Sequence, residues 1–276
     1  MAITAQDVNK LRKMTGMGMM DCKKALTEAN GDFDKAIEIL RKKGEKISAK
    51  RADNETKEGV VLIHNNDNGT ESTIVAINCE TESVAKNDEF NQLANTVLEK
   101  AVSEKPADTE ALLAIEVEGK AIQEHITQFM GKVGEKIIVS AYERVSGEAV
   151  IPYLHNNGKL GVLVALKGVN GAEVEEAGKD VAMQIAAMNP IAVDKEGVPT
   201  DLVEKEIEIG KEQARNEGKP EDLVEKIALG KLNRFYKDNT LLNQAFVKDG
   251  SKTVAKMLQE INKELTVVDF KRVAIA

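Results

Sequence analysis

The chain has few of the features that mark a membrane-borne, exported or metal-dependent protein. Its apolar runs are no longer than a strand, which leaves no span of the ~20 residues a membrane helix needs. The N-terminus has no apolar h-region, so no secretory signal is expected. Only two cysteines, Cys22 and Cys79, occur among 276 residues. Without an export signal they are expected to be buried or half-buried thiols rather than a disulfide, and the cytoplasm is the expected compartment. The three histidines, His64, His125 and His155, stand alone, with no cysteine or carboxylate at ligand spacing; no metal site is expected. Neither a Gly-x-x-x-x-Gly-Lys-Ser/Thr phosphate loop nor a Gly-x-Gly-x-x-Gly after a strand is present. Cys79 lies beside Glu80 but has no histidine neighbour, which disfavours a thiol nucleophile. No enzyme chemistry and no cofactor are expected.

What is present describes a soluble, helix-rich globular chain of two or three domains, with 42% hydrophobic and 30% charged residues. The charge is uneven: residues 1–57 carry 13 Lys and Arg against 9 Asp and Glu, and the remainder carries 25 against 37. So acidic a body argues against general nucleic-acid binding, which needs cations to neutralise phosphates. It leaves a protein partner open.

Residues 1–55 read as three short helices. Thr4 caps the first, with Val8 and Leu11 on one face and Gly16 at its end. Met19 to Ala29 forms the second, closed by Asn30-Gly31. Asp32 caps the third, whose Phe33, Ala36, Ile37 and Leu40 form an apolar stripe. The methionines around Gly16 and Gly18 fit either core or an adaptable contact surface. The basic stretch Arg41–Arg51 reads as a helix end running into a linker, with a boundary near residue 55.

Beyond it the texture turns to strands. Val60–His64 and Ser72–Asn78 flank the turn Asn66-Asp67-Asn68-Gly69; helical periodicity follows through Met130, broken at Pro106, and Lys136–Val145 is again a strand. The pattern then restarts. Ala149–His155 and Leu160–Lys167 flank Asn156-Asn157-Gly158, Val174–Met188 is helical, and Leu265–Val273 lines up with Ile137–Val145. His64-Asn65-Asn66 lines up with His155-Asn156-Asn157. The expected architecture is therefore α+β: a three-helix domain over 1–55, then two copies of one antiparallel-sheet-plus-helix unit, 56–146 and 147–276. The second copy carries an inserted antiparallel helical hairpin over about 200–238, with Gly218 at C′ of one helix and Pro220 at N1 of the next. That hairpin is a candidate for self-association.

The candidate site is Asn78-Cys79-Glu80-Thr81-Glu82-Ser83-Val84-Ala85-Lys86-Asn87-Asp88, a polar tip with the carboxylates Glu80 and Glu82 between a strand and a helix capped by Asn87. Two readings from other classes compete. One is an RNA-binding module using the basic stretch 41–51 and a Gly131–Gly134 loop, whose Gly-Lys-Val-Gly is similar to a short backbone-clamping loop. The other is a peptide-binding adaptor built on the three helices.

Leu11-Arg12-Lys13-Met14-Thr15-Gly16-Met17-Gly18-Met19-Met20-Asp21-Cys22-Lys23-Lys24-Ala25-Leu26 closely resembles the N-terminal signature of the bacterial elongation factor Ts family, and Asn78–Asn87 resembles its second signature. The resemblance spans the whole chain. It implies a ubiquitin-associated-like first domain and a guanine-nucleotide exchange factor for elongation factor Tu, in its GDP-bound and nucleotide-free forms, that binds no nucleotide itself. It also implies docking through Leu11, Arg12, Met19 and Met20, further partner contacts at Asn78, Val133, Gly134 and His155, and pressure beside the partner's magnesium from Thr81, Glu82, Ser83 and Val84. Many members have Asp-Phe where this chain has Glu82-Ser83. A serine buries little apolar area and cannot wedge as a phenylalanine can. The chain ends just past its last strand, so the extra C-terminal helical module of some relatives is expected to be missing.

Overall fold

The computed structural model describes residues 3–276. Three helices come first: α1 (Ala5–Thr15), α2 (Met19–Glu28) and α3 (Phe33–Lys50). Thr4 closes a full capping box with Asp7, Gly16 ends α1 in the left-handed conformation, and Asp32 accepts from the Lys35 amide to start α3. Val8, Leu11, Met17, Cys22, Leu26, Ala36 and Leu40 form their core.

The basic stretch Arg41–Arg51 differs from expectation. It is not a linker, since α3 continues through Lys50. Several of its charges are paired on open faces, Arg41 with Glu45 and Glu124, Lys42 with Glu38 and Lys43 with Asp21. Its Gly44 is buried, and a Cβ there would stand 2.7 Å from the Thr127 carbonyl oxygen.

Two three-stranded antiparallel sheets follow. The first orders β1 (Glu58–Asn65), β2 (Glu71–Cys79) and β5 (Ile138–Ser146), with β2 central; the second orders β6 (Ala149–Leu154), β7 (Leu160–Lys167) and β10 (Thr266–Ala274), with β7 central. Between β2 and β5 run α4 (Glu82–Ala85), α5 (Asp88–Glu104), α6 (Thr109–Ala114), the small hairpin β3 (Glu116–Val117) and β4 (Lys120–Ala121), and α7 (Ile122–Val133). Between β7 and β10 run α8 (Glu175–Met188), α9 (Thr200–Asn216), α10 (Glu221–Asn239), the hairpin β8 (Ala245–Phe246) and β9 (Asp249–Thr253), and α11 (Val254–Ile261). Both small hairpins fall where continuous helix or nothing definite was expected; Glu118 and Gly119 turn the first with positive φ.

The two copies agree in detail. Ile77 pairs with Val139 and Leu166 with Val267; directly after, each third strand bulges, leaving Ser140 and Val268 without cross-strand partners. Each hairpin turn crosses to the other sheet: Gly158 accepts from the Val61 amide at 2.9 Å and Gly69 from the Val150 amide at 2.6 Å. The same turn bonds make His155 the counterpart of Asn66, with Gly158 donating to His155 and Gly69 to Asn66. The alignment of His155 with His64 was thus two residues out of register. Arg144 and Arg272 are equivalent too, each donating to a carbonyl at the end of the first long helix of its copy, Lys105 and Ala186.

The sheets stack on each other through Val61 and Val150, Ile74 and Leu163, Ala76 and Ala165, Val145 and Val273. The approach is close: a Cβ on Gly161 would stand 2.6 Å from Ile74 Cδ1. The opposite faces are covered by α5 and α7 around Phe90 and by α8 and α11 around Ile185. Helices α9 and α10 pack on each other through Gly210, Ala214, Val224, Ala228 and Leu232. Pro220 is the N-cap of α10 rather than its first residue. Among the described residues no helix is long and apolar enough to cross a membrane.

Candidate functional site

The candidate stretch leaves the end of β2 at Cys79. Apolar side chains hold its base. Cys79 is fully buried and its Sγ donates to the Thr81 carbonyl at 3.2 Å. Burial, with the Glu135 carboxylate behind it, pushes the thiol up to about 12, so it is not a nucleophile at neutral pH. Asn78 is buried, its amide nitrogen donating to the Thr56 carbonyl and its Oδ1 accepting from Ser140 Oγ at 2.6 Å. The stretch is not irregular, as expected of a loop; it makes the one-turn helix α4, and Val84 and Ala85 turn inward to the core of the first sheet. Thr81, Glu82 and Ser83 face outward. Glu82 reaches Lys86 at 2.7 Å, and this neighbour holds its carboxyl below the ordinary value, with Lys159 adding to the effect.

Two carboxylates fasten this turn, Glu80 within the candidate stretch and Glu135, which sequence reasoning missed. Glu135 accepts from the Thr81 amide at 3.0 Å and from Thr81 Oγ at 2.7 Å. Glu80 accepts from the Lys136 amide at 2.6 Å, Asn54 at 2.9 Å and Arg51 at 2.7 Å. Burial works against the Glu80 charge, but these donors outweigh it and hold the carboxyl below its ordinary value. The Lys136 ammonium in turn donates to the carbonyls of Ala52 and Asn54. Nothing local announces contacts 54 and 56 residues apart; an acid beside each strand end was the one available signal.

Beside the start of α5 stands the turn between α1 and α2. Met17 is buried, whereas Met19 and Met20 are 51% and 64% exposed, so the methionine run divides between core and surface. A cleft lined by Arg12, Gly16, Met19, Glu89 and Lys132 joins this turn to the start of α5 and the end of α7. Lys132 pairs with Glu89 there. Leu11 is fully buried beneath it, in the core of the three helices. The side chains of Asn78 and Val84 are buried as well.

Val133 packs partly against the first core, and Gly134 ends α7 in the left-handed conformation. Gly131–Gly134 is therefore a helix end and not a clamping loop. A Cβ on Gly131 would stand 3.1 Å from the Gly44 Cα, so this glycine serves the contact between α7 and α3. His155 is exposed in the second hairpin turn, its Nδ1 2.8 Å from Tyr153 Oη. Nearby Lys159 pairs with Glu58 at 2.6 Å, which brings this turn to the side where β2 ends. Among the described residues no group of three or more His, Cys, Asp or Glu is spaced to hold a metal ion.

The outward face of this region carries exposed methionines, a charged turn on a buried base, and a hairpin turn held near the end of β2 by the Lys159–Glu58 pair. Comparison with known proteins bears on what such a face would meet. Residues 80–276 match the family model described as Elongation factor TS. Over 275 residues the chain is 57% identical to the Elongation factor Ts of Cytophaga hutchinsonii, covering 99% of each chain. It is also 57% identical to that of Amoebophilus asiaticus, covering 100% of this chain and 99% of the relative. Against that of Christiangramia forsetii it is 49% identical over 274 residues, covering 99% and 98%.

Proposed function

The chain belongs to the elongation factor Ts family, and on that premise we propose that it is the guanine-nucleotide exchange factor for elongation factor Tu. It engages the GDP-bound partner through Arg12, Met19 and Met20, with Leu11 holding their turn from beneath. It then sets Thr81, Glu82 and Ser83 beside the partner's magnesium ion, while Val133, Gly134 and His155 contact it elsewhere. Magnesium demands near-ideal octahedral geometry, so a small displacement of its surroundings loosens the ion and the GDP it bridges. Because Ser83 lacks an apolar ring, the displacement rests on the Glu82 charge and on the stiffness of the turn that carries it. The factor must bind nucleotide-free partner more tightly than GDP-bound partner, and GDP weakens the factor by the same ratio.

The observation that supports this reading best is the outward Glu82-Ser83 pair on a turn whose neighbours, Val84 and Ala85, are buried. Stopped-flow release of fluorescent GDP from elongation factor Tu tests it. The wild type should accelerate release, and Glu82→Ala and the double change Met19→Ala/Met20→Ala should each slow it. Two unchanged rates would refute the residue assignment.

A further inference from the structure

The structure assigns Glu135 as the positioning residue of the outward turn: its carboxylate, grasping both donors of Thr81, fixes the direction in which Glu82 and Ser83 point. The inference rests on the exchange reading above and adds to it a residue 54 positions away in sequence. Thr81 is the N-cap of α4, where a threonine oxygen ordinarily accepts from an amide of the first turn. Here it makes no such bond. Its hydroxyl instead donates to Glu135 Oε1 at 2.7 Å while its amide donates to Oε2 at 3.0 Å. A one-turn helix has too few internal bonds to hold its own orientation. Both ends of this one are held from outside, by Glu135 at Thr81 and by the burial of Val84 and Ala85.

The lock is reciprocal. While Glu135 holds the Thr81 amide, Glu80 holds the Lys136 amide at 2.6 Å, so adjacent residues of the two segments grip each other's backbone. Glu80 also holds Arg51 and Asn54, which follow α3. The chain leaving the three helices, the outward turn and the residues after Gly134 thus meet at one pair of carboxylates. Binding energy gained by the methionine turn can then be delivered at Glu82 only if this junction stays stiff. Glu135 itself need not touch the partner.

The test uses the full-length chain carrying Glu135→Ala or Glu135→Gln. Glutamine can accept from the Thr81 amide and donate to its hydroxyl, so it keeps the grip without the charge. Glu135→Ala should lower the maximal rate of GDP release on the order of tenfold, as misplacement of a working group does. It should leave the half-saturating factor concentration unchanged, and Glu135→Gln should recover most of the rate. In the free protein, Glu135→Ala should speed hydrogen exchange at the Thr81 and Ala85 amides with no matching loss of thermal stability. If the wild type accelerates release and Glu135→Ala does so equally, the positioning role is wrong and the exchange reading survives. A raised half-saturating concentration at full maximal rate would make Glu135 a contact and overturn the inference. If the wild type accelerates nothing, the exchange reading fails, and unchanged amide exchange in Glu135→Ala would then overturn the lock as well.

Discussion

The ends of the two central strands, equivalent in position, are finished in opposite ways. After β7 the chain closes on itself. The Gly168 and Val169 amides both donate to Glu148, Asn262 holds the Gly168 carbonyl, and Asn170 reaches Glu264 at 2.7 Å. Gly168 is left-handed and a Cβ there would stand 2.1 Å from the Glu264 carbonyl oxygen, so the turn is pressed against its neighbour. After β2, the bonds to Glu80 and Glu135 hold an equally firm base but send Glu82 and Ser83 outward. The bulges, the crossing hairpin turns and the paired arginines are shared; the strand ends are not. What the copies share builds the frame, and where they part is where the proposed contact with a partner lies.

The frame half of this comparison is open to the largest test. Ile74 and Leu163 are fully buried at equivalent places between the sheets. Replacing either by alanine should cost about 2–5 kcal/mol, the range for deleting a buried aliphatic side chain. The two costs, read from chemical denaturation, should be close to each other. A large gap between them would mean that the pairing is formal and not energetic.

A smaller effect is expected at the strand end of the first copy. Glu80→Gln should cost about 2 kcal/mol at neutral pH, as the loss of charge-assisted bonds does. The Glu80 carboxyl lies below its ordinary value of 4.5, so the folded state favours the ionised form. Its contribution is complete above that value and is lost as pH falls through the lower folded one. The stability gap between wild type and Glu80→Gln should therefore narrow below about pH 4.5, followed by denaturation midpoints. A gap constant down to pH 3 or so would deny the charge any role.

Much of this was legible in the residues themselves. Turn chemistry at Asn66–Gly69 and Asn156–Gly158, period-two strands and caps at Thr4, Asp32 and Asn87 announced the elements where the structure has them. The repeat of Ile137–Val145 in Leu265–Val273 was readable because both third strands bury the same positions and bulge at the same step. The His-Asn-Asn match misled because it compared letters in a turn, where hydrogen bonds and not side-chain types set register. Leu11, Asn78 and Val84 lie in segments that the resemblance assigns to partner contact, yet their side chains are buried, since a signature does not tell a residue that touches a partner from one that supports it. The role of Gly131 was hidden for a similar reason: a glycine that lets helices approach reads locally like one that frees a loop. Glu80 and Glu135 could not be found from spacing, since their partners arrive only through tertiary contact.

The most direct measurement compares the two strand ends in one assay. Fluorescent GDP release from elongation factor Tu is followed with wild type, Glu82→Ala and Glu173→Ala, the last removing an exposed carboxylate between β7 and α8. Glu82→Ala should slow the accelerated release on the order of tenfold, as loss of an interfacial charge can, while Glu173→Ala leaves it unchanged. Equal rates for all three proteins, or equal losses in both variants, would contradict the assignment of exchange to the first strand end.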